Sequence, residues 1–189
     1  QELSHRGTVL LATTTHIMRP NWCPFAATAA ELRAGFTHSP VVCAGSYTPE
    51  GKLTAPDFPG WQYAADFVLV EADGSKRLPA KAHAAWEPVL PPERNRTVCV
   101  FGASALGQPI QDAAHRPELY ASLAEVSPEA VITPAIAARV LAKEGNFDIL
   151  FINQADVLED PVAALQPLVY TLPCPVIYGA LAEGYWAKL

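Results

Sequence analysis

Asp66-Phe67-Val68-Leu69-Val70-Glu71-Ala72-Asp73-Gly74-Ser75-Lys76-Arg77-Leu78-Pro79 is the stretch on which the fold turns. Its apolar run, Phe67 to Val70, passes at Glu71 into a dense polar cluster. A run this short, with β-branched residues and no alternation, predicts a strand buried on both faces, as in a parallel sheet. The strand should stop near Glu71, because Gly74 and Ser75 favour a turn and Pro79 follows. Two carboxylates, a hydroxyl and two cations are therefore expected at the carboxyl end of a central strand. Open α/β sheets bind their ligands at that end.

Upstream, Thr8 to Ala12 reads as a strand that runs into Thr13-Thr14-Thr15-His16. Three consecutive hydroxyls after a buried strand must each find a partner or face a ligand. Turn and cap hydroxyls explain them as well as contact with phosphate or a metal-bound water does. A helix is expected from about Ala26 to Ala34, stopped by Gly35, then a strand over Val41 to Ala44 and a Pro/Gly loop from Ser46 to Gly60. Gly51-Lys52 in that loop is not a phosphate loop, since the glycine-rich lead and the helix start are missing.

Downstream, Lys76 to Pro92 is a proline-punctuated basic stretch holding Lys76, Arg77, Lys81, His83, Trp86 and Glu87. Its bunching beside Glu71 and Asp73 favours anion binding over plain solvated charge. Thr97 to Phe101 is another strand, followed by the small-residue loop Gly102 to Gly107. His115 and Arg116 precede a helix opened by Pro117 and Glu118, a favourable place for an anion, although an ordinary helix entry would look the same. Thr133-Pro134 caps a helix that runs to Lys143 and stops at Gly145. Asp148 to Ile152 is a strand ending in Asn153-Gln154-Ala155-Asp156. A short helix from Pro161 to Leu168, a last strand from Pro175 to Tyr178 and a helical tail with Trp186 complete the chain. Gln1 to Arg6 reads as the last turn of a helix closed by Gly7.

Composition sets the bounds. The 189 residues are half hydrophobic and 17% charged, which describes a folded globular chain. A net charge of -6 without a basic stripe argues against nucleic-acid binding. No apolar run approaches a membrane span and no secretory signal is visible. Cys23, Cys43, Cys99 and Cys174 are widely spaced, without a CxxC pair, and read as reduced thiols of a cytoplasmic protein. Eighteen prolines suggest long, fixed loops. No repeat or linker divides the chain. One α/β domain over 1–189 is expected, with 76–120 as a loop-rich insertion facing a substrate or partner.

Three strands end in polar clusters, TTTH, EADGSKR and NQAD, expected at one edge of one sheet. That pattern points to a nucleotide or other phosphorylated ligand, with Mg²⁺ between carboxylates and phosphates. Asn153-Gln154-Ala155-Asp156 resembles the base-reading N-K-x-D box of GTPases, with Gln154 in place of the lysine. Glu71-Ala72-Asp73-Gly74 fits the E-x-x-G switch motif of nickel-insertion GTPases. In that reading Glu71 or Asp73 holds Mg²⁺ or a catalytic water, and the Gly74 N–H approaches the terminal phosphate.

The blocks TTTHI, VLVEADGSKRLPAKAHAAWEPVLP, FGASALGQPI, HRPELYA and FINQAD, spread between about Leu10 and Asp156, resemble the YqeC family. That family is placed with accessory proteins of selenium-dependent molybdenum hydroxylases. The resemblance implies a three-layer, mostly parallel P-loop NTPase-like fold, with a G-x-G-G-K-T segment ahead of the strand that ends in TTTH. No G-x-x-x-x-G-K-[ST] occurs in this sequence, so the phosphate-loop segment is expected upstream of Gln1.

The function then expected is Mg²⁺-dependent binding of ATP or GTP, with NTP hydrolysis or phosphoryl transfer, in cofactor maturation or insertion. Glu71, Asp73 and Lys76 are the expected catalytic residues, with Glu71 and Asp73 on the metal. Thr13, Thr14, Thr15, Gly74, Asn153 and Asp156 would bind nucleotide. Arg77, Lys81, His115 and Arg116 would take substrate or phosphate charge. A molybdenum hydroxylase or a cofactor intermediate is the expected partner. Two alternatives are a non-catalytic cofactor-binding or delivery protein and an ATP-dependent ligase.

Overall fold

Phe67–Glu71 is a strand, and it lies parallel to the strand that carries the threonine cluster. The computed structural model describes residues 2–189, and the chain forms two compact units. The first extends to Gly74 and also takes in Glu87–Glu93; the second is made of Ser75–Trp86 and Arg94–Leu189. Both are α/β with mostly parallel sheets.

The first unit contains β1 (Val9–Thr13), β2 (Phe25–Ala26), α1 (Ala29–Phe36), β3 (Val41–Ala44), β4 (Ser46–Tyr47), β5 (Leu53–Thr54) and β6 (Phe67–Glu71). Its main sheet runs β2-β3-β1-β6, all parallel. Alternate residues of β1 and β3 feed opposite faces, as the pleat requires. Leu10, Ala12, Val42 and Ala44 pack with Leu32 of α1 and with Trp61, whereas Val9, Val41 and Cys43 pack with Cys23 and Leu53.

The centre of this sheet is β1 with β3, not β6. The expectation of a central, doubly buried strand at Phe67–Val70 is corrected: β6 is at the edge, and Leu69 is 46% exposed. A short apolar run signals parallel pairing but not its rank in the sheet. The helix begins at Ala29 rather than Ala26, because Thr28 and Glu31 form a capping box and Ala26 belongs to β2. The expected loop after Gly45 contains the antiparallel pair β4–β5.

Asp66 fixes where β6 enters. Its Oδ2 accepts from the backbone N–H and the hydroxyl of Thr8, at 2.8 Å each. A Cβ on Gly7 would fall 2.6 Å from that oxygen, so glycine keeps the approach open. The Thr8 bonds hold the Asp66 carboxyl below its ordinary range. A depressed carboxylate adds stability that is present above its unfolded pKa, about 3.9, and is lost as pH falls through the lower folded value. Asp66→Asn should therefore lower the urea midpoint at neutral pH and converge with the wild type in acid below about pH 4. Parallel midpoint curves across that range would show that Asp66 does not act this way.

The second unit contains β7 (Ala80–Lys81), β8 (Val98–Gly102), α2 (Ile110–Ala113), β9 (Ala114–His115), α3 (Pro117–Ala124), α4 (Pro134–Glu144), β10 (Ile149–Asn153), α5 (Pro161–Thr171), β11 (Val176–Ala180) and β12 (Tyr185–Lys188). The sheet order is β12-β11-β10-β8, and a small parallel pair joins β7 to β9. Leu150 and Ile152 of β10 are fully buried in one core with Val140 of α4 and Leu165 and Leu168 of α5. Thr133 caps α4 by accepting from the Ile136 N–H, Pro134 follows it, and Gly145 closes the helix at φ 59°.

Two further expectations change. The strands lie in two four-stranded sheets rather than along one edge of one sheet, because a strand's own composition does not name its neighbours. The tail around Trp186 is not helical but β12, antiparallel to β11. Gly184 turns the chain at φ 73°, and a Cβ on Gly179 would lie 2.3 Å from the Tyr185 carbonyl oxygen. The short helical segment near the start, Glu2–His5, is a 3₁₀ turn, and the Gln1 part of that expectation lies outside the described residues. Among the described residues no helix is long and apolar enough to cross a membrane.

Candidate functional site

In the first unit the register decides which groups meet. Thr13 of β1 stands opposite Glu71 of β6, so both strands end level at the carboxyl edge. Thr13 is completely buried. Its hydroxyl oxygen lies 2.9 Å from both the Glu71 carboxylate and the Glu71 carbonyl, to which it donates, and it accepts from the Thr15 N–H at 2.9 Å. The Thr15 hydroxyl donates to the same Glu71 Oε2 and stands 3.2 Å from the Thr13 oxygen. One carboxylate oxygen thus gathers two threonine hydroxyls. Thr14 points elsewhere: its N–H bonds the Glu71 carbonyl and its hydroxyl donates to the Val89 carbonyl at 2.5 Å.

Gly74 sits against this group, since a Cβ there would be 3.6 Å from Glu71 Oε1. Asp73 is half-buried between them in sequence, and His16 is exposed. The site is built of hard oxygen donors. Mg²⁺ takes one or two carboxylates and fills the remaining positions with water and phosphate oxygens. The Glu71 carboxylate, held by the Thr13 and Thr15 hydroxyls, is the kind of donor that demand calls for, and Asp73 would supply a second carboxylate.

The other expected residues belong to the second unit. Lys76 and Arg77 occupy a turn closed by the Leu78 N–H on the Ser75 carbonyl at 3.0 Å. Both are exposed and both have positive φ, 54° and 67°, a conformation costly for side chains of this size. Lys81 stands opposite His115 in the β7–β9 pair. Arg116 also has positive φ, 64°, at the entry to α3, and its guanidinium lies 5.5 Å from the centre of the Trp86 ring. Lys81, His115 and Arg116 are thus brought together.

Asn153 ends β10, and its Oδ1 accepts from the Leu181 N–H at 3.1 Å, tying it to the β11–β12 turn. Gln154 has φ 61° and accepts from the Ser104 hydroxyl at 2.7 Å. A Cβ on Gly102 would be 2.6 Å from that Gln154 oxygen and 2.7 Å from Pro79 Cβ, which accounts for glycine at the end of β8. Asp156 is exposed in a 3₁₀ turn. The four cysteines are all free thiols, and burial pushes Cys43 up to about 11, far from a thiolate at neutral pH.

Two features gave no signal in the sequence. The Trp86–Arg116 stack joins residues thirty positions apart. His83 binds Glu144, the last residue of α4, through its backbone N–H at 2.7 Å and its Nδ1 at 2.9 Å. Only the packing of α4 reveals that Glu144 has a partner.

The edge where Thr13 meets Glu71 also falls within a family match. A profile of the YqeC protein family matches residues 1–118. The chain belongs to the YqeC family. The match takes in every expected residue except Asn153 and Asp156. A curated YqeC-family relative from Escherichia coli (strain K12), described as the uncharacterized protein YqeC, is 30% identical over 183 residues, covering 85% of this chain and 72% of the relative. The YqeC resemblance drawn from EADGSKR and its neighbouring blocks is thereby borne out. No solved structure matches the chain.

Proposed function

We propose that this YqeC-family chain is a Mg²⁺-dependent nucleotide-binding accessory protein acting in maturation or insertion of the cofactor of selenium-dependent molybdenum hydroxylases. The observation that carries the reading is the Glu71 carboxylate held by the hydroxyls of Thr13 and Thr15 at the carboxyl edge of a parallel sheet. Such edges are where α/β proteins bind ligands. The likeness to a P-loop NTPase belongs to this proposal.

The roles follow from donor chemistry. Glu71 and Asp73 hold Mg²⁺, and the ion supplies charge neutralisation for phosphate oxygens when bound. The Thr13 and Thr15 hydroxyls fix the Glu71 carboxylate in place, and Thr14 ties the same turn to Val89. The Gly74 N–H, beside the carboxylate and with no side chain, approaches a terminal phosphate. In the second unit Lys76, Arg77, Lys81, His115 and Arg116 take the negative charge of substrate or phosphate, and Asn153 and Asp156 contact the base. The positive φ of Lys76 and Arg77 is the kind of local strain that functional turns retain.

Calorimetry with ATP and with GTP, each with and without Mg²⁺, tests this together with turnover assays of Asp73→Ala and Lys76→Ala. Metal-dependent binding and turnover lost in both variants with the fold intact is the expected result. Full activity in both variants would remove the assigned catalytic cluster. Binding without any turnover would favour a delivery protein gated by nucleotide, for which the exposed Trp22 and Trp86 offer partner surface. A phosphorylated small-molecule product would instead indicate a ligase.

A further inference from the structure

Between β5 and β6 the chain runs Pro56-Asp57-Phe58-Pro59-Gly60-Trp61-Gln62-Tyr63, with two prolines and three aromatic rings. Pro56 and Pro59 fix their own φ and leave the backbone few alternatives. Gly60, at φ 75°, leads into the 3₁₀ turn Trp61–Tyr63, where the Tyr63 N–H bonds the Gly60 carbonyl at 3.1 Å. Trp61 is buried, and both it and Phe58 pack into the core built on Leu10, Leu32 and Val42. The segment is therefore anchored at two rings before any ligand arrives.

Together with Glu93, which belongs to the same unit, this segment lines a cleft of about 540 Å³. Small-molecule sites span about 300–1,000 Å³. Tyr63 is 73% exposed, a large ring left standing in water. Asp57 and Glu93 are exposed, and among the described residues neither carboxylate has a hydrogen-bond or ion-pair partner. Among the described residues no lysine, arginine or histidine lines the cleft.

The rings and the carboxylates select the same kind of ligand. A ring face attracts a cation held within about 6 Å of its centre. A carboxylate attracts that cation by charge and accepts its N–H groups. An anion would be repelled by both, and a neutral ligand would leave the carboxylates unused. Mg²⁺ keeps several of its waters and would gain nothing from the aromatic walls. We propose that this cleft binds a small aliphatic ammonium ligand. Its charge is met by Asp57 and Glu93, and its carbon chain is laid on the Phe58, Trp61 and Tyr63 rings. The prolines and the two anchored rings hold the segment in advance, so binding has little left to order. The cleft shares no residue with the Thr13–Glu71 group and gives the first unit a second ligand.

Two-dimensional NMR of the whole chain tests this, with n-butylammonium as the probe and 1-butanol as its uncharged counterpart. The ammonium should shift the Trp61 indole and the Gln62 and Tyr63 amides, while the indoles of Trp22, Trp86 and Trp186 stay in place. At the same concentration 1-butanol should leave all of them unmoved. The response should fade as salt rises, because attraction between exposed charges is screened. Tyr63→Ala should weaken binding about two- to five-fold, the range for one exposed cation–ring contact. Asp57→Asn combined with Glu93→Gln should weaken it about ten-fold, from two exposed charge pairs. All three positions are exposed, so the signals outside the cleft should stay where they are. An equal response to 1-butanol would make the cleft a merely apolar groove and overturn the inference. A response that survives in the double variant would put the cation elsewhere and overturn it too, as would no response to n-butylammonium.

Discussion

Glu71→Ala should weaken Mg²⁺-dependent nucleotide binding by roughly a hundredfold, the upper range for loss of a metal-site partner. Binding without Mg²⁺ should hardly change. In the wild type one carboxylate oxygen gathers the hydroxyls of Thr13 and Thr15. Removing it leaves Thr13 still bonded to the backbone carbonyl of residue 71 but takes the acceptor from Thr15. The buried Thr13 therefore stays satisfied, and the thermal midpoint should move little because β6 is an edge strand. Glu71→Gln separates charge from hydrogen bonding: it keeps an oxygen for the threonines but gives up the negative charge that the proposed Mg²⁺ site would need. The amide variant should therefore resemble the alanine variant in metal dependence and the wild type in stability. Calorimetry across a Mg²⁺ series reads all three chains. Identical metal dependence in Glu71→Ala would remove this carboxylate from the site.

Leu150→Ala should cost the second unit about 2–5 kcal/mol, the range for a large aliphatic residue deleted from a close-packed core. Leu150 lies on β10, paired on both sides, and is fully buried. Its neighbours cannot all move in to fill the cavity, because β8 and β11 are held to the strand by backbone bonds. The matching control is Val98→Ala on β8, where the side chain is 52% exposed and the change should stay within about 0.5 kcal/mol. Urea midpoints of the two variants give the comparison. Equal shifts would mean that the core is not centred on β10.

Parallel strands were legible where a short apolar run meets a polar cluster, as at Val9–Thr13 and Phe67–Glu71. The α4 boundaries were legible because Thr133, Pro134 and Gly145 each act through local backbone chemistry. Pairing is not local. The placement of β6 at an edge, and the division of strands between two sheets, depend on partners far away in the chain. The tail from Tyr185 to Lys188 was misread because its strand character comes from docking on β11 past Gly179, a glycine whose role only the neighbouring backbone defines. Of the candidate site, Thr13, Thr15 and Glu71 could be named from their positions at strand ends, but the direction of the Thr14 side chain could not. The His83–Glu144 couple was invisible because its members come from a loop and a helix end that have no shared motif.

The first unit takes its last piece from residues 87–93, after the chain has already contributed 75–86 to the second. On the ribosome this unit cannot close when Gly74 is added. The Val89 N–H must still bond the Ala72 carbonyl, and the Val89 carbonyl must still receive the Thr14 hydroxyl. Domains generally fold in order as they emerge during synthesis. Here the order is interleaved: the turn that follows β1 gains its final tether only once translation has passed Val89, with Ser75 to Trp86 emerging in the meantime. A nascent chain stalled before that point would carry β1 and β6 but lack the strap across their carboxyl ends.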